Sequence, residues 1–412
     1  MSRGLRAAIV GVVCAVALGS VLAGCAADEQ SAVQDGSDTL TIYSSLPLQG
    51  PDRERARDMV NAIKLALQES GGKIGPFHVT YVPLDAATRE AGTWTADKVL
   101  DNARKAIRDL NAIAYIGERD SAATALSLPL TNEGHVLQVS PSSTYDGLTR
   151  ASRRQGEPER FYPSGERTFA RLVPADHVQA SALVGYMKAS GVRSIALMGD
   201  REIYGGGIAD AVEKAAARQR LEVFDGGHVD ASRGDLTGAA RKVAETGADA
   251  FLFAGTTDTG AARIFTAVAD AAPSMLLFGP AAVADQAFLN GLSPAVQRRM
   301  RVTTPALPPR LLPRSARAFR DRFRRTFGRQ PAPEALQAYE AARAVLHAIR
   351  SAGTRGNNRQ AVTDAFLAIR NRRSVLGTYS IDRFGDTSLS TYVGNRVRRS
   401  QFVLDKVLEV RG

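Results

Sequence analysis

One segment combines the features of a buried strand and of a binding loop: Val136-Leu137-Gln138-Val139-Ser140-Pro141-Ser142-Ser143-Thr144-Tyr145-Asp146-Gly147. Its first half is a short apolar run, and its second half passes through a proline into consecutive hydroxyl residues. In open α/β sheets, ligands bind outside the carboxyl ends of the strands. Hydroxyl groups and free backbone N–H groups at such an end can hold a carboxylate. The segment is therefore predicted to form half of a ligand cleft, with a serine-rich turn that binds nothing as the alternative.

Apolar runs of strand length alternate with helical patterns on both sides of this segment. Between the runs, apolar residues recur at helical spacing, as Val99, Ala103 and Ile107 do. Such alternation indicates parallel sheets covered by helices on both faces. The rhythm breaks over residues 149–166 and then restarts, which predicts two α/β domains of similar design. Besides the opening segment, the predicted strands of these two blocks cover residues 40–45, 77–84, 112–117, 194–198, 221–224, 250–254 and 275–279.

The first residues have the composition of an export signal. Arg3 and Arg6 precede a nearly apolar run over residues 7–22, which is shorter than the roughly 20 residues of a membrane span. A charged start, an apolar middle and small residues before a cleavage site are typical of such signals. The tetrapeptide Leu22-Ala23-Gly24-Cys25 resembles a bacterial lipobox, in which cleavage before the cysteine is followed by its lipidation.

Residues 1–24 are therefore predicted to be a lipoprotein signal peptide, and residues 25–38 a flexible tether. Cys25 is the predicted lipid attachment site, and an ordinary signal peptide with a chance cysteine is the alternative. Cys14 leaves with the signal, so no intramolecular disulfide is expected in the mature chain. The predicted location is the extracytoplasmic face of the bacterial cell membrane.

The chain is basic, with a formal net charge of +11. A basic chain is a candidate for nucleic-acid binding. The export signal and the scattering of the arginines along predicted helices argue against that partner. We interpret the arginines mostly as solvated helix faces, some of them close to anionic lipid headgroups.

Enzymatic motifs are missing from the sequence. The five histidines are far apart, and none has a cysteine or histidine at metal-ligand spacing. Gly205-Gly206-Gly207 follows a predicted strand, but Asp210 stands where a dinucleotide fingerprint needs its third glycine. We therefore predict a protein that is not an enzyme and that uses no cofactor and no metal.

Five sets of strand exits and loops stand in a characteristic order: Ile116-Gly117 with Ser121-Ala122-Ala123-Thr124, Val139–Thr144, Gly199-Asp200 with Tyr204-Gly205, Phe278-Gly279-Pro280, and Gly377–Asp382 with Gly385-Asp386. Taken together, they resemble those of the leucine/isoleucine/valine-binding group of type I periplasmic-binding-fold proteins. These proteins are the solute receptors of branched-chain amino acid ABC transporters. The resemblance extends from about residue 40 to the C-terminus, and no single motif is specific.

The resemblance implies an α/β fold of two doubly wound parallel-sheet lobes joined by three crossings. The crossings are expected near Val173-Pro174, within residues 281–304 and within residues 351–377. The N-terminal lobe is accordingly predicted to contain residues 39–172 and 282–350. The C-terminal lobe, with the closing strands, is predicted to contain residues 173–281 and 351–412.

The resemblance also implies the binding residues. Ser121, at the first strand exit, and Ser142, Ser143 and Thr144, at the second, match the positions that hold the ligand carboxylate. Tyr204 matches the aromatic residue that covers the ligand on closure. Thr256 stands where the family often has an aromatic residue. This departure is expected to make the pocket for the ligand side chain wider or more polar. Each of these residues also has a purely structural interpretation, such as an N-cap for Ser121.

Ala281 is the main departure from the family pattern. The amino-acid receptors commonly have an acidic residue there that pairs with the ligand ammonium, and an unpaired buried ammonium costs several kcal/mol. Either Asp258, Asp285 or Asp120 replaces that acid, or the ligand is not an α-amino acid.

The sequence therefore favours a monomeric, lipid-anchored receptor that captures a small carboxylated, amino-acid-like solute by closure of its lobes. Its expected partners are the permease subunits of an ABC transporter. Two alternatives remain: a sensory receptor of the same fold, and a structural surface lipoprotein whose cleft has decayed.

Overall fold

Two separate sheets, both mainly parallel, organise the chain. The computed structural model describes residues 37–230 and 234–410. The first sheet has six strands in the order β2-β3-β1-β4-β5-β6, and only the β2–β3 pair is antiparallel. Its strands are β1 (Thr39–Leu46), β2 (Lys73–Ile74), β3 (Phe77–Asp85), β4 (Ala112–Ile116), β5 (Leu137–Ser140) and β6 (Phe169–Arg171).

The second sheet has seven strands and ends in an antiparallel hairpin. Its order is β15-β14-β11-β10-β9-β7-β8. A separate ribbon pairs β12 (Arg372–Ser374) with β13 (Gly377–Tyr379). The strands of the second sheet are β7 (Ser194–Gly199), β8 (Glu222–His228), β9 (Ala250–Ala254), β10 (Leu276–Gly279), β11 (Met300–Thr304), β14 (Thr391–Arg398) and β15 (Gln401–Glu409).

Helices cover both sheets. Those packed with the first sheet are α1 (Arg53–Glu69), α2 (Ala96–Arg108), α3 (Ser121–Glu133), α10 (Arg314–Phe327), α11 (Ala335–Ser351) and α12 (Arg359–Leu367). Those packed with the second sheet are α4 (Asp176–Ala189), α5 (Ile203–Gln219), α6 (Thr237–Glu245), α7 (Ala261–Ala271), α8 (Gln286–Asn290) and α9 (Pro294–Arg299). We call the first sheet with its helices the first lobe, and the second sheet with its helices the second lobe.

The apolar runs of the sequence form the central strands because these strands are covered on both faces. All residues of β4 and of β9 are buried. The predicted fold class, two α/β lobes with largely parallel sheets, is confirmed. Within the part of the chain that the structure describes, every helix is too short or too polar to cross a membrane.

Two of the predicted lobe boundaries are wrong. Residues 282–304 were expected in the first lobe, but β11 pairs with β10 and β14 in the second sheet. Residues 351–390 were expected in the second lobe, but Phe366 and Tyr379 are buried in the core of the first. The reason is that α11 packs on α1, so α12 and the ribbon that follow it also cover the first sheet.

The chain thus passes between the lobes in three places: between β6 and α4, between β11 and α10, and between β13 and β14. The predicted signal peptide, most of the predicted tether and Cys25 lie outside the described residues.

Candidate functional site: a cleft between the lobes

A cavity of about 410 Å³ lies between the two lobes at the carboxyl ends of their strands. This is the place where open α/β sheets bind ligands. Asp258, an acidic residue of the second lobe, lines this cavity. Most of the predicted binding residues also line it, namely Ser121, Ser142, Thr144, Tyr204 and Thr256.

Hydroxyl groups tie the exits of β4 and β5 together. The Ser121 Oγ accepts from the backbone N–H groups of Thr144, at 3.2 Å, and Tyr145, at 3.3 Å. The Ser142 Oγ donates to the carbonyl oxygen of Arg119 at 2.8 Å. Within residues 37–230 and 234–410, no acceptor takes the hydroxyl proton of Ser121. Ser121 can therefore still donate to a ligand, whereas the Ser142 proton is already used.

Ser143 does not line the cavity, and its prediction as a ligand-facing residue is wrong. Its side chain is fully buried, and its Oγ lies 2.7 Å from the Thr124 Oγ1 and 3.2 Å from the Glu118 carbonyl oxygen. Successive side chains of an extended chain point to opposite sides. With Ser142 and Thr144 facing the cleft, Ser143 points into the first lobe.

Asp120, and not Ser121, caps α3. The Asp120 Oδ1 accepts from the N–H groups of Ala122, at 2.7 Å, and Ala123, at 3.4 Å, and Ser121 is the first residue of the helix. Burial raises the pKa of Asp120, although the two N–H groups oppose that shift. A carboxylate of the protein therefore occupies the positive end of α3, where an anionic ligand would otherwise be favoured.

Gln179 of α4 positions the second-lobe wall and was not singled out from the sequence. Its side chain is fully buried. The Gln179 Nε2 donates to the Tyr204 hydroxyl at 3.4 Å, and its Oε1 accepts from the Ala281 N–H at 2.6 Å. Tyr204 also packs against the core of its own lobe. No local pattern could reveal this bridge, because its two partners, Tyr204 and Ala281, are 25 and 102 residues away from Gln179 in the chain.

The acidic residues proposed to replace the missing acid at Ala281 all line the cavity. Asp120 and Asp285 are helix caps, and the Asp285 Oδ1 accepts from the Phe288 N–H at 2.7 Å. Asp258, in contrast, has no hydrogen bond and no ion pair among the described residues. Burial raises its pKa, and the neighbouring Asp52 carboxylate adds to the shift.

Two arginines of the first lobe, Arg55 and Arg119, also line the cavity. The Arg119 Nη1 lies 2.7 Å from the Asp52 Oδ2, and Arg55 forms an ion pair with Glu334. Although burial alone would raise the pKa of Glu334, Arg55 and Arg119 hold it below its ordinary value. These pairs join residues far apart in the sequence, so sequence patterns could not predict them.

The sequence profile of the periplasmic binding protein family matches residues 39–391. The chain belongs to the periplasmic binding protein family. No curated protein matches it in a sequence search.

Solved structures of the fold resemble this periplasmic binding protein over most of its length. A leucine-binding protein of Thermotoga maritima has a TM-score of 0.75 at 20% identity, covering 90% of this chain and 99% of that one. A branched-chain amino acid transporter substrate-binding protein of Streptococcus pneumoniae, in complex with isoleucine, has a TM-score of 0.72 at 18% identity, with coverage of 90% and 99%. A solute-binding protein of R. palustris, in complex with benzoate, has a TM-score of 0.71 at 17% identity, with coverage of 91% and 98%. At these identities the likeness is one of fold.

A buried arginine holds the hydroxyl-rich loop after β5 in this periplasmic binding protein. Arg171, at the end of β6, is fully buried. Its Nη1 donates to the carbonyl oxygens of Ser143, at 3.2 Å, and Tyr145, at 2.9 Å, and its Nε donates to the Asp386 Oδ1 at 2.8 Å. Arg171 therefore holds the loop after β5 in place without touching the cavity.

The described residues contain no group of histidine, cysteine, aspartate and glutamate side chains suited to a metal ion. The chemistry that the cleft offers is recognition by hydroxyl groups, carboxylates, guanidinium groups and aromatic side chains.

Proposed function

We propose that this periplasmic binding protein is a lipid-anchored extracytoplasmic solute receptor that closes on a small solute and delivers it to an ABC transporter. The observation that carries the proposal is the cavity of about 410 Å³ to which both lobes contribute side chains. Ligand sites of roughly 300–1,000 Å³ are usual for small molecules. Because Ser121 belongs to the first lobe and Tyr204 to the second, a solute that contacts both stabilises the closed arrangement.

We propose that the solute is carboxylated and resembles an amino acid. The ligands in two of the similar structures, isoleucine and benzoate, both have a carboxylate. The donors that this chain offers to such a group are the Ser121 hydroxyl and the guanidinium group of Arg119, whose Nε has no partner among the described residues. Guanidinium groups match carboxylates in geometry and charge.

A ligand screen tests the proposal. The mature protein is expected to unfold at a higher temperature with at least one solute from a panel of amino acids, amides and organic acids. A ligand present at a hundred times its dissociation constant stabilises the folded state by about 2.7 kcal/mol. Differential scanning fluorimetry measures the shift. A panel without any shift contradicts the proposed function.

The lipid anchor is tested by one substitution. Cys25→Ala is expected to release the protein from the membrane fraction, because the mature chain loses its acyl chains and keeps no other predicted anchor. Membrane fractionation and immunoblotting measure the distribution. Cys14→Ala is the matched control, since Cys14 lies in the segment that the signal peptidase removes, and it is expected to leave the distribution unchanged. Retention of the Cys25→Ala protein on membranes contradicts the anchor.

A further inference from the structure

Two tyrosines of the second lobe, Tyr204 of α5 and Tyr392 of β14, line the cavity between the lobes. The Tyr392 side chain is fully buried, and its hydroxyl has no hydrogen-bond partner among residues 37–230 and 234–410. A buried polar group of this kind normally finds a partner, and a bound ligand can supply one. Tyr392 therefore indicates that a polar group of the ligand lies at the second-lobe side of the cavity.

Gln179 uses the Tyr204 hydroxyl as an acceptor and leaves the Tyr204 proton for a ligand. The Ala281 N–H donates to the Gln179 Oε1 at 2.6 Å, which turns the Nε2 of the same amide towards Tyr204. The Tyr204 oxygen accepts from that Nε2 at 3.4 Å. In the part of the chain that the structure describes, no acceptor takes the Tyr204 proton. The second lobe thus offers two hydroxyl donors, one from each tyrosine.

The charges near these hydroxyls favour an uncharged partner. Burial raises the pKa of both phenols well above its ordinary value, and the negative charge of Asp176 adds to both shifts. The phenols therefore keep their protons at neutral pH and act as donors. Asp146 adds further negative charge near Tyr392, and the nearby Arg171 is already paired with Asp386. Because like charges repel, a neutral acceptor fits beside these phenols better than a carboxylate does.

An apolar solute enclosed in the cavity would leave both phenol hydroxyls without a partner. A site built to hydrogen-bond a polar group of its ligand rejects the analogue that lacks this group, because the buried polar groups of the site are then left unpaired. The donors proposed above for the solute carboxylate, Ser121 and Arg119, belong to the first lobe. The tyrosines belong to the second lobe, so they are available to a different group of the same solute.

We infer that Tyr392, together with Tyr204, makes the cavity specific for a solute that carries an uncharged hydrogen-bond acceptor, an amide or hydroxyl oxygen, in addition to its carboxylate. The inference rests on the proposed function and narrows its ligand class. It pairs the acceptor with the hydroxyl donors of the second lobe. It also gives closure a further cause, because such a solute joins donors of both lobes.

Tyr392→Phe tests the inference in the absence of any ligand. The substitution removes a buried hydroxyl that has no partner, so the solute-free variant is expected to unfold at the same temperature as the natural protein or at a higher one. Differential scanning fluorimetry measures the unfolding temperature. A lower unfolding temperature for Tyr392→Phe would mean that the hydroxyl serves the fold, and it would overturn the inference.

Tyr186→Phe is the matched control. Tyr186 is also fully buried in the second lobe, but its hydroxyl donates to the Asp405 Oδ2 at 3.0 Å. Loss of this hydrogen bond leaves a carboxylate without its donor, so the control is expected to unfold at a lower temperature. Tyr186 does not line the cavity, and its substitution is expected to leave the affinity for solutes unchanged.

Calorimetric titration of the mature protein with matched solutes tests the ligand class. L-asparagine, L-leucine and L-aspartate have nearly the same shape, and their side chains are uncharged and polar, apolar, and anionic. 4-Hydroxybenzoate and benzoate form a second matched set. We expect asparagine or 4-hydroxybenzoate to bind about tenfold or more tightly than its apolar counterpart. Aspartate is expected to bind more weakly than asparagine.

The same titration is repeated with the variants, using the polar solute that binds, whether from the matched sets or from the wider panel. Tyr392→Phe is expected to weaken its binding by about tenfold or more, because the acceptor of the solute loses its donor. Combined with an undiminished unfolding temperature, this loss identifies a hydroxyl that serves the ligand and not the fold.

The outcomes separate the two proposals. If leucine, benzoate or aspartate binds as tightly as its uncharged polar counterpart, the specificity inference is overturned and the solute receptor stands. The same conclusion follows if Tyr392→Phe binds the polar solute as tightly as the natural protein, or if the wider panel yields only ligands without an uncharged acceptor. If no solute of any class binds, both proposals fall.

Discussion

Replacing Arg171 with alanine is expected to lower the free energy of unfolding by about 3–5 kcal/mol, the range measured when one partner of a buried ion pair is removed. Arg171 is fully buried, and Asp386 has only 6% of its side chain exposed. The substitution leaves that carboxylate with Arg150 alone and removes the donor from the Ser143 and Tyr145 carbonyl oxygens. Urea denaturation followed by circular dichroism measures the loss.

Arg193→Ala is the matched control for this prediction. Arg193 is 89% exposed and lies 3.8 Å from Asp249, so its removal is expected to change stability by no more than about 0.5 kcal/mol. Asp386→Asn and the double variant measure the coupling between the partners. If Arg171→Ala lowers the free energy of unfolding by less than about 1 kcal/mol, the prediction is contradicted, because the buried ion pair then stabilises the fold far less than other buried pairs do.

The same ion pair makes stability depend on pH. Burial alone would raise the pKa of Asp386, but Arg171 and Arg150 hold it below its ordinary value. In the unfolded chain the carboxyl has a pKa of about 3.9, so below that value the unfolded state binds more protons than the native state. The contribution of the pair is present above pH ~4 and is lost as the pH falls through the folded-state pKa. The difference between the natural protein and Arg171→Ala is therefore expected to shrink on acidification.

Replacing Gly207 with alanine is expected to weaken solute binding by about tenfold or more, without loss of folding, because overpacking of a close contact costs about 1–3 kcal/mol. Gly207 lies on α5 of the second lobe, and a Cβ there would meet the Tyr145 ring of the first lobe at 2.4 Å and the Asp176 Oδ2 at 3.3 Å. In the arrangement of the lobes that the structure shows, relief of this clash requires the Tyr145 ring to shift or the lobes to separate. Calorimetry with the ligand found in the solute screen measures the effect.

Gly206→Ala is the control, one residue earlier on the same helix. A Cβ at Gly206 meets only the Arg154 Nη2 at 3.7 Å, which is an ordinary contact. Both substitutions gain up to about 1 kcal/mol of helix propensity, so thermal stability is expected not to fall in the ligand-free state. Equal affinities for the two variants would mean that closure does not depend on the Gly207–Tyr145 contact.

The meeting of Ser121 with Ser142 and Thr144 could be predicted because it follows from local rules. Each residue stands just after an apolar run, and the carboxyl ends of parallel strands lie at one edge of their sheet. The orientation of Ser143 could not be predicted in the same way. Which residues of a hydroxyl run face the cleft depends on the register with which the strand leaves the sheet, and the run itself contains no signal for it.

The assignment of segments to lobes failed where it depended on helix docking. The amphipathic pattern of α10, α11 and α12 predicts buried faces but does not say which sheet they cover. In the structure, Phe319, Val345 and Phe366 join the core of the first lobe. Because the two sheets have similar sequence patterns, the sequence was compatible with these helices covering either sheet.

What the sequence alone determined is the alternation of strands and helices, the doubling of the α/β layout and the two strand exits that meet at the cleft. These follow from periodicity and from residues close together in the chain. The tertiary structure alone decided the burial of Ser143, the capping of α3 by Asp120 and the pairing of Arg55 with Glu334. It also decided that Asp258 faces the first lobe. The Asp120 cap is a local contact with Ala122 and Ala123, and the structure decided only that this carboxylate is the one that takes it. The contacts of Ser143 and of Arg55 join residues far apart in the chain, which the packing of the first lobe brings together. The packing of the two lobes brings Asp258 to the first lobe.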